Sequence, residues 1–219
     1  MIVTIDGPAG SGKSTAARGL AARLGFDYLD TGAMFRAVAL ALLNRGIDPA
    51  NHVAVEAVLD ELLLDMPPGR VVLDGRDVTA AIRAAAVAQT ASKVAVVPVV
   101  RRFLAAEQRR IAEGRDIVCE GRDQGTAVFP DAACKFFVTA DPRARAARRF
   151  RELLDKGESV TLEEVLASQH ERDTRDTERE DAPLRAAADA VVIDTTDLSA
   201  DDVVARLEEI VRRCATARL

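Results

Sequence analysis

Residues Gly7-Pro8-Ala9-Gly10-Ser11-Gly12-Lys13-Ser14 satisfy the pattern G-x-x-x-x-G-K-[ST], which constrains a chain only when a strand precedes it and a helix follows. Both neighbours are present. Ile2-Val3-Thr4-Ile5 is a short β-branched run that stops at Asp6-Gly7 and predicts a buried strand. Beyond Ser14, Ala17, Leu20, Ala21 and Leu24 recur at helical spacing until Gly25 supplies a stop. Strand, glycine-rich turn and helix in that order make a phosphate-binding loop. Its backbone N–H groups and the helix dipole face an anion, Lys13 reaches the β and γ phosphates, and the Ser14 hydroxyl is offered to Mg²⁺. Gly7, Pro8, Ala9, Gly10, Ser11, Gly12, Lys13, Ser14 and the adjoining Thr15 are therefore the candidate site for the phosphates of a nucleoside triphosphate. A glycine-rich turn holding nothing would leave Lys13 at the head of a helix, where the dipole disfavours a cation.

The rest of the chain repeats the alternation. Strands are predicted at Phe26 to Leu29, Ile117 to Glu120, Cys134 to Thr139 and Ala190 to Asp194. Helical stretches fall near Ala33 to Asn44, Val99 to Glu113, Pro142 to Lys156, Leu162 to Glu178 and Asp201 to Cys214. This order predicts an α/β fold with a parallel sheet, and 219 residues suffice for one core plus insertions. Two segments break the rhythm. Between about Gly46 and Val97, Pro67-Pro68-Gly69, a strand at Arg70 to Leu73 and the turn Asp74-Gly75 predict an inserted α+β piece. An arginine-rich helix opened by Asp141-Pro142 stops at Gly157 and restarts at Thr161 with Glu164 three residues on, a capping box.

Composition narrows the function classes. A net charge of −5 with 4% aromatics and no Trp lacks the basic, stacking-rich footprint of a nucleic-acid binder. No stretch approaches the ~20 apolar residues of a membrane span. Cys119, Cys134 and Cys214 are odd in number and never form a CxxC pair, which predicts buried thiols, no disulfide and a cytoplasmic protein. A Ras-type GTPase is also excluded, because neither Asn44 nor Asn51 is followed by Lys as N-K-x-D requires.

A second anion site is suggested elsewhere. Asp30-Thr31-Gly32 opens a helix carrying Arg36 one turn in, so a hydroxyl, free N–H groups and a guanidinium converge, or a cap sits beside a solvated Arg. Gly121-Arg122-Asp123 leaves the carboxyl end of a strand, where open α/β sheets bind ligands. Arg172, Arg175 and Arg179 share one helical face with Asp176 beside them, either an arginine-lined lid or a salt-bridged solvated face. Arg145, Arg148 and Arg149 cluster on the preceding helix.

The segments GPAGSGKST (7–15), LDTGAMFR (29–36), ASKVAVVPVVR (91–101), EGRDQGTAVFPDA (120–132), ERDTRDTER (171–179) and APL (182–184) resemble bacterial cytidylate kinases in order and spacing. Adenylate and shikimate kinases lack this combination. The resemblance implies a five-stranded parallel sheet flanked by helices, with an inserted monophosphate-binding domain and an arginine-rich helical lid. On this chain that gives a core of residues 1–30, 92–150 and 180–219, a monophosphate-binding region at 31–91 with its small α+β insert, and a lid at 151–179. It further implies that Thr31, Arg36, Arg122 and Arg179 hold the acceptor phosphate, that Arg172 and Asp176 reach the ribose, and that Ser92, Arg101 and Asp123 read cytosine. Phe35, Lys93 and Gln124 stand where the family usually carries Tyr, Gln and Met.

The expected reaction is transfer of the γ-phosphoryl group of ATP, with Mg²⁺, to CMP or dCMP by a monomeric enzyme. An acceptor phosphate with a second pKa of about 6 is already an anionic nucleophile at neutral pH, so no general base is assigned. Lys13, Arg145, Arg149 and Arg175 are the candidate catalytic residues, and Ser14 is the candidate metal ligand.

Overall fold

The computed structural model describes residues 1–155 and 157–216. The chain opens with β1 (Ile2–Asp6), crosses the glycine-rich turn into α1 (Lys13–Leu24), and returns through β2 (Asp27–Asp30) to α2 (Thr31–Asn44). Gly25 closes α1 in the left-handed conformation (φ 69°), the stop its sequence predicts. Asp30 caps α2 by accepting from Ala33 N at 2.8 Å. There follow α3 (His52–Glu61), three two-residue strands β3 (Leu64–Asp65), β4 (Val72–Leu73) and β5 (Arg76–Asp77), then α4 (Ala85–Val94) and α5 (Pro98–Ala112). The strand expected at Arg70 to Leu73 is shorter than predicted. Val71 exchanges its hydrogen bonds with Val78 and Thr79 outside the ladder, and Arg70 N turns back to Pro67 O.

The last third supplies β6 (Ile117–Gly121), β7 (Cys134–Thr139), α6 (Pro142–Asp155), α7 (Leu162–Glu178), β8 (Val191–Asp194) and α8 (Ala200–Thr216). Thr161 and Glu164 form the predicted capping box at the start of α7. A π-helical turn, Gln124–Val128, lies between β6 and β7.

By contact the chain divides into two compact units, residues 1–28 with 115–219, and residues 29–114. In the first, β1 pairs in parallel with β6 and β7, and β7 with β8, within a five-stranded parallel sheet of order β2-β6-β1-β7-β8. Registers Asp6↔Gly121 and Thr139↔Asp194 align the carboxyl ends. The phosphate loop, the Arg122–Asp123 segment and Thr195 therefore all leave one edge of the sheet, where open parallel sheets gather their chemistry. Alternating residues Val3, Ile5, Phe136, Val138 and Ile193 build a core closed by Leu20 of α1 and Leu207 and Val211 of α8. Such strands, buried on both faces, read as apolar runs.

That core also corrects the cysteine expectation. Cys134 on β7 and Cys214 on α8 are joined as a disulfide, their Cα atoms 6.4 Å apart, while Cys119 is a buried free thiol. The apolar stripe of α8 carries Cys214 onto the sheet beside Cys134, a tertiary juxtaposition invisible in spacings along the chain. The second unit consists of α2 to α5 with the antiparallel sheet β3-β4-β5, and by contact it takes in the whole of α5. Among the described residues no helix is long and apolar enough to cross a membrane.

Candidate active site

Gly7 leaves β1 at φ 153°, and a Cβ there would lie 2.0 Å from the carbonyl oxygen of Val138, so only glycine fits between the loop and β7. Gly12 takes the left-handed conformation (φ 83°) at the N-cap of α1 without any side-chain cap, and no acidic residue sits in the first turn. The helix start therefore presents backbone N–H groups and a positive dipole end that no acidic side chain of its own first turn answers. Two loop carbonyls are tied from outside and one from within. Ala9 O accepts from Arg145 at 2.9 Å, Ser11 O from Thr195 at 2.9 Å, and Pro8 O from Lys13 at 3.3 Å.

Lys13 is buried, and its ammonium is lowered to about 7, first by burial and next by the nearby Arg122 guanidinium, with Glu120 acting in the opposite direction. A cation crowded by other cations in a dry pocket is what an incoming polyphosphate would relieve. Ser14 donates to Glu120 Oε2 at 2.7 Å, and Tyr28 donates to Glu120 Oε1 at 2.9 Å. Glu120 was missed by the sequence argument. The only signal for it was a carboxylate ending a strand just before Gly121, and register brings it opposite Ile5 at the mouth of the loop.

Asp6, also unforeseen, ties the loop to its neighbour. Its two oxygens accept from Gln124 N and Gly125 N, each at 2.8 Å, so the strand that feeds the phosphate loop also anchors the π-helical turn after Asp123. Burial raises its carboxyl to about 6, against the pull of those two N–H groups. On that anchored segment Arg122 Nε reaches Asp176 Oδ2 at 2.9 Å, and Arg179 stands 3.7 Å from Asp123. The structure thus brings Lys13, Arg122, Asp123, Asp176 and Arg179 into one connected group, with Arg172 near enough to act electrostatically on Lys13.

The predicted catalytic arginines occupy different surroundings. Arg145 is buried in α6, where it donates to Ala9 O, Ala140 O and Asp173 Oδ2, the last at 2.6 Å. Arg149 is 42% exposed and pairs with Glu152 at 3.0 Å. Arg175 and Arg172 are exposed on α7, and Thr15 is exposed on α1. Gln169 of α7, buried and not foreseen, donates to Arg145 O at 3.4 Å and lies against Gly10.

The remaining candidates lie in the other unit. Thr31 is buried at the start of α2, and Arg36 donates to Asp30 Oδ2 at 3.2 Å. Arg83 joins the same carboxylate at 3.5 Å, a second guanidinium that no local pattern marks. Ser92 lies on α4, and Arg101, buried on α5, donates to Ala95 O at 3.3 Å across the turn that joins the two helices.

The sequence pattern that defines the cytidylate kinase family matches residues 3–213. A cytidylate kinase of Rhodopirellula baltica is 46% identical over 217 residues, 99% of this chain and 95% of the relative. One from Solibacter usitatus is 47% identical over 218 residues, 99% of this chain and 94% of the relative. Among solved structures, a shikimate kinase from Bacteroides thetaiotaomicron superposes with a TM-score of 0.51 at 10% identity, covering 97% of this chain and 98% of the other, a likeness of fold.

Proposed function

The chain belongs to the cytidylate kinase family, and from that premise we propose that it transfers the γ-phosphoryl group of ATP to CMP and dCMP, giving ADP and CDP or dCDP. The observation that carries this reading is the buried Lys13, set behind a glycine loop and beside Arg122, Glu120 and Asp176. Residues Gly7 to Thr15 hold the donor phosphates in it. Thr31, Arg36, Arg122 and Arg179 take the acceptor phosphate, Arg172 and Asp176 the ribose, and Ser92, Arg101 and Asp123 the base.

Mg²⁺ fits the oxygens available. Ser14 Oγ is a hard donor backed by the Glu120 carboxylate, and among the described residues no group of three or more His, Cys, Asp or Glu forms a protein cage. That matches a cation held through few protein oxygens and the substrate's own phosphates. Ser14 would hold Mg²⁺ with Glu120 behind it, and the cation would supply positive charge against the negative charge that develops on the transferring phosphoryl group.

The protein's part is alignment and charge. Lys13 neutralises the donor, and the acceptor phosphate attacks as an anion without a base. Arg145 acts by fixing the loop carbonyl of Ala9, whereas Arg149 and Arg175 belong to a lid at residues 151–179 and its preceding helix that supplies positive charge and excludes water. Asp123 accepts the cytosine amino group. Uracil would place a carbonyl there and leave buried groups unpaired, at a cost of about 1 to 3 kcal/mol. We further propose a monomer acting on small molecules, with no nucleic-acid or membrane partner.

The test is an ADP-release assay with ATP and Mg²⁺, offering CMP, dCMP, UMP, AMP and shikimate separately to wild type and to Asp123→Ala. A strong preference for CMP and dCMP that Asp123→Ala erodes is expected. Transfer to another acceptor, or none, would overturn the proposal.

A further inference from the structure

Glu120 is 4% exposed at the end of β6, and two hydroxyl groups satisfy it from opposite sides. Ser14 Oγ gives its proton to Oε2 at 2.7 Å. A serine hydroxyl has one proton and two lone pairs, so a Ser14 that donates to Glu120 turns its lone pairs elsewhere, available to a cation. The direction of that single hydrogen bond decides whether Ser14 presents an oxygen or a proton to the metal. It holds only if Glu120 keeps Oε2 on Ser14.

Tyr28 controls that orientation. Its hydroxyl donates to Oε1 at 2.9 Å, and a carboxylate fixed at both oxygens cannot turn about its final bond. The ring has reasons of its own to stay where it is. It packs against the core shared by α1 and the sheet, and the Arg18 guanidinium lies 5.5 Å from its centroid. The aromatic body is thus held by packing, while the hydroxyl is spent on Glu120.

We infer that Tyr28 is a positioning residue of the metal site: through Glu120 it orients the Ser14 hydroxyl so that the oxygen lone pairs, not the proton, face Mg²⁺. The inference rests on the reading of Gly7 to Ser14 as the nucleotide phosphate site. Outer partners of this kind set ligand orientation and tune metal affinity without touching the metal. Ser14 lies in the first turn of α1 and Tyr28 beyond its end, and Glu120, 106 residues from one and 92 from the other, connects them.

The experiment is calorimetric ADP binding, once with Mg²⁺ and once with EDTA, to wild type, Tyr28→Phe, Glu120→Gln and the double variant. Phenylalanine keeps the packing ring and removes the hydroxyl alone. The gain in ADP affinity on adding Mg²⁺ is expected to shrink roughly three- to tenfold in Tyr28→Phe, while EDTA affinity stays within about twofold of wild type. In Glu120→Gln an amide N–H faces Ser14 and claims a lone pair, so the double variant should be no weaker than Glu120→Gln alone.

An unchanged Mg²⁺ gain in Tyr28→Phe, an equal loss with and without Mg²⁺, or additive losses in the double variant would each overturn the inference. Wild type that binds ADP with no Mg²⁺ gain would overturn it and leave the phosphate site standing. Wild type that binds no ADP in either condition would remove both.

Discussion

Arg122 donates through Nε to Asp176 Oδ2 at 2.9 Å, with side chains only 16% and 11% exposed. An arginine proposed for the acceptor phosphate is thereby held by the acid proposed for the ribose. One ion pair thus couples the proposed phosphate contact to the proposed sugar contact, and it links the Gly121–Arg122 segment to α7.

Cutting this pair from either side leaves a poorly solvated charge without its partner. Arg122→Ala or Asp176→Ala is expected to cost about 1 to 3 kcal/mol in urea unfolding and to raise KM for CMP. The double variant should lose less than the sum of the two. Additivity within about 0.5 kcal/mol would show that the pair carries no coupling.

Lys13 gives a prediction in pH. Its ammonium falls from an ordinary 10.5 to about 7, burial being the first cause and Arg122 the second. Between those values the unfolded chain binds more protons than the folded one, so the Lys13 contribution to stability rises with pH across that window. Below about pH 7 the cost of burying the ammonium is present in full. Bound polyphosphate favours the charged form, so ADP binding near pH 8.5 should take up protons, and affinity should fall as pH climbs. Calorimetry in buffers of different ionisation enthalpy reads the uptake directly. No net uptake would mean that Lys13 is already charged in the free protein.

Gly7 and Gly25 separate steric exclusion from backbone strain. Both have positive φ, 153° and 69°, but a Cβ on Gly7 meets the Val138 carbonyl at 2.0 Å, while one on Gly25 meets nothing within 4 Å. Gly25→Ala should cost about 1 kcal/mol, the strain alone. Gly7→Ala should cost about 3 kcal/mol or more, because β7 backbone has to move. Similar urea midpoints for the two variants would dismiss the contact with Val138.

Local chemistry made much of this molecule legible. The β-branched run before Gly7, the glycine that stops α1, and the Thr161–Glu164 box act within a few residues of themselves, and the structure reproduces all three. The five main strands also fall within about two residues of where apolar runs predict them. Glu120 and Asp6 were hidden for the opposite reason. Each gains its meaning from partners 92 to 119 residues away, delivered by strand register rather than by spacing. Arg83, which shares Asp30 with Arg36, carries no pattern at all. The insert was legible as a break in rhythm, and β4 was read in it though drawn too long, whereas the two-residue strands β3 and β5 leave no alternation to read.

The cysteines mark the sharpest departure, and they are countable. Three separate thiols follow from their spacing, whereas the fold joins Cys134 to Cys214 and leaves Cys119 alone. Burial pushes the Cys119 thiol up, so in the native protein it should resist alkylation at neutral pH. Thiol titration of the denatured, unreduced protein should therefore find one thiol per chain, and reduction should reveal two more. The bond closes a separation of 80 residues and ties the β7 edge of the core to α8. Its reduction should lower stability by roughly 2 to 4 kcal/mol, with α8 losing amide protection before the sheet does. Three thiols without reductant would return Cys134 and Cys214 to ordinary core residues, and α8 would then be held by the packing of Val203, Leu207 and Val211 and by the Arg23 pairs with Asp201 and Glu208.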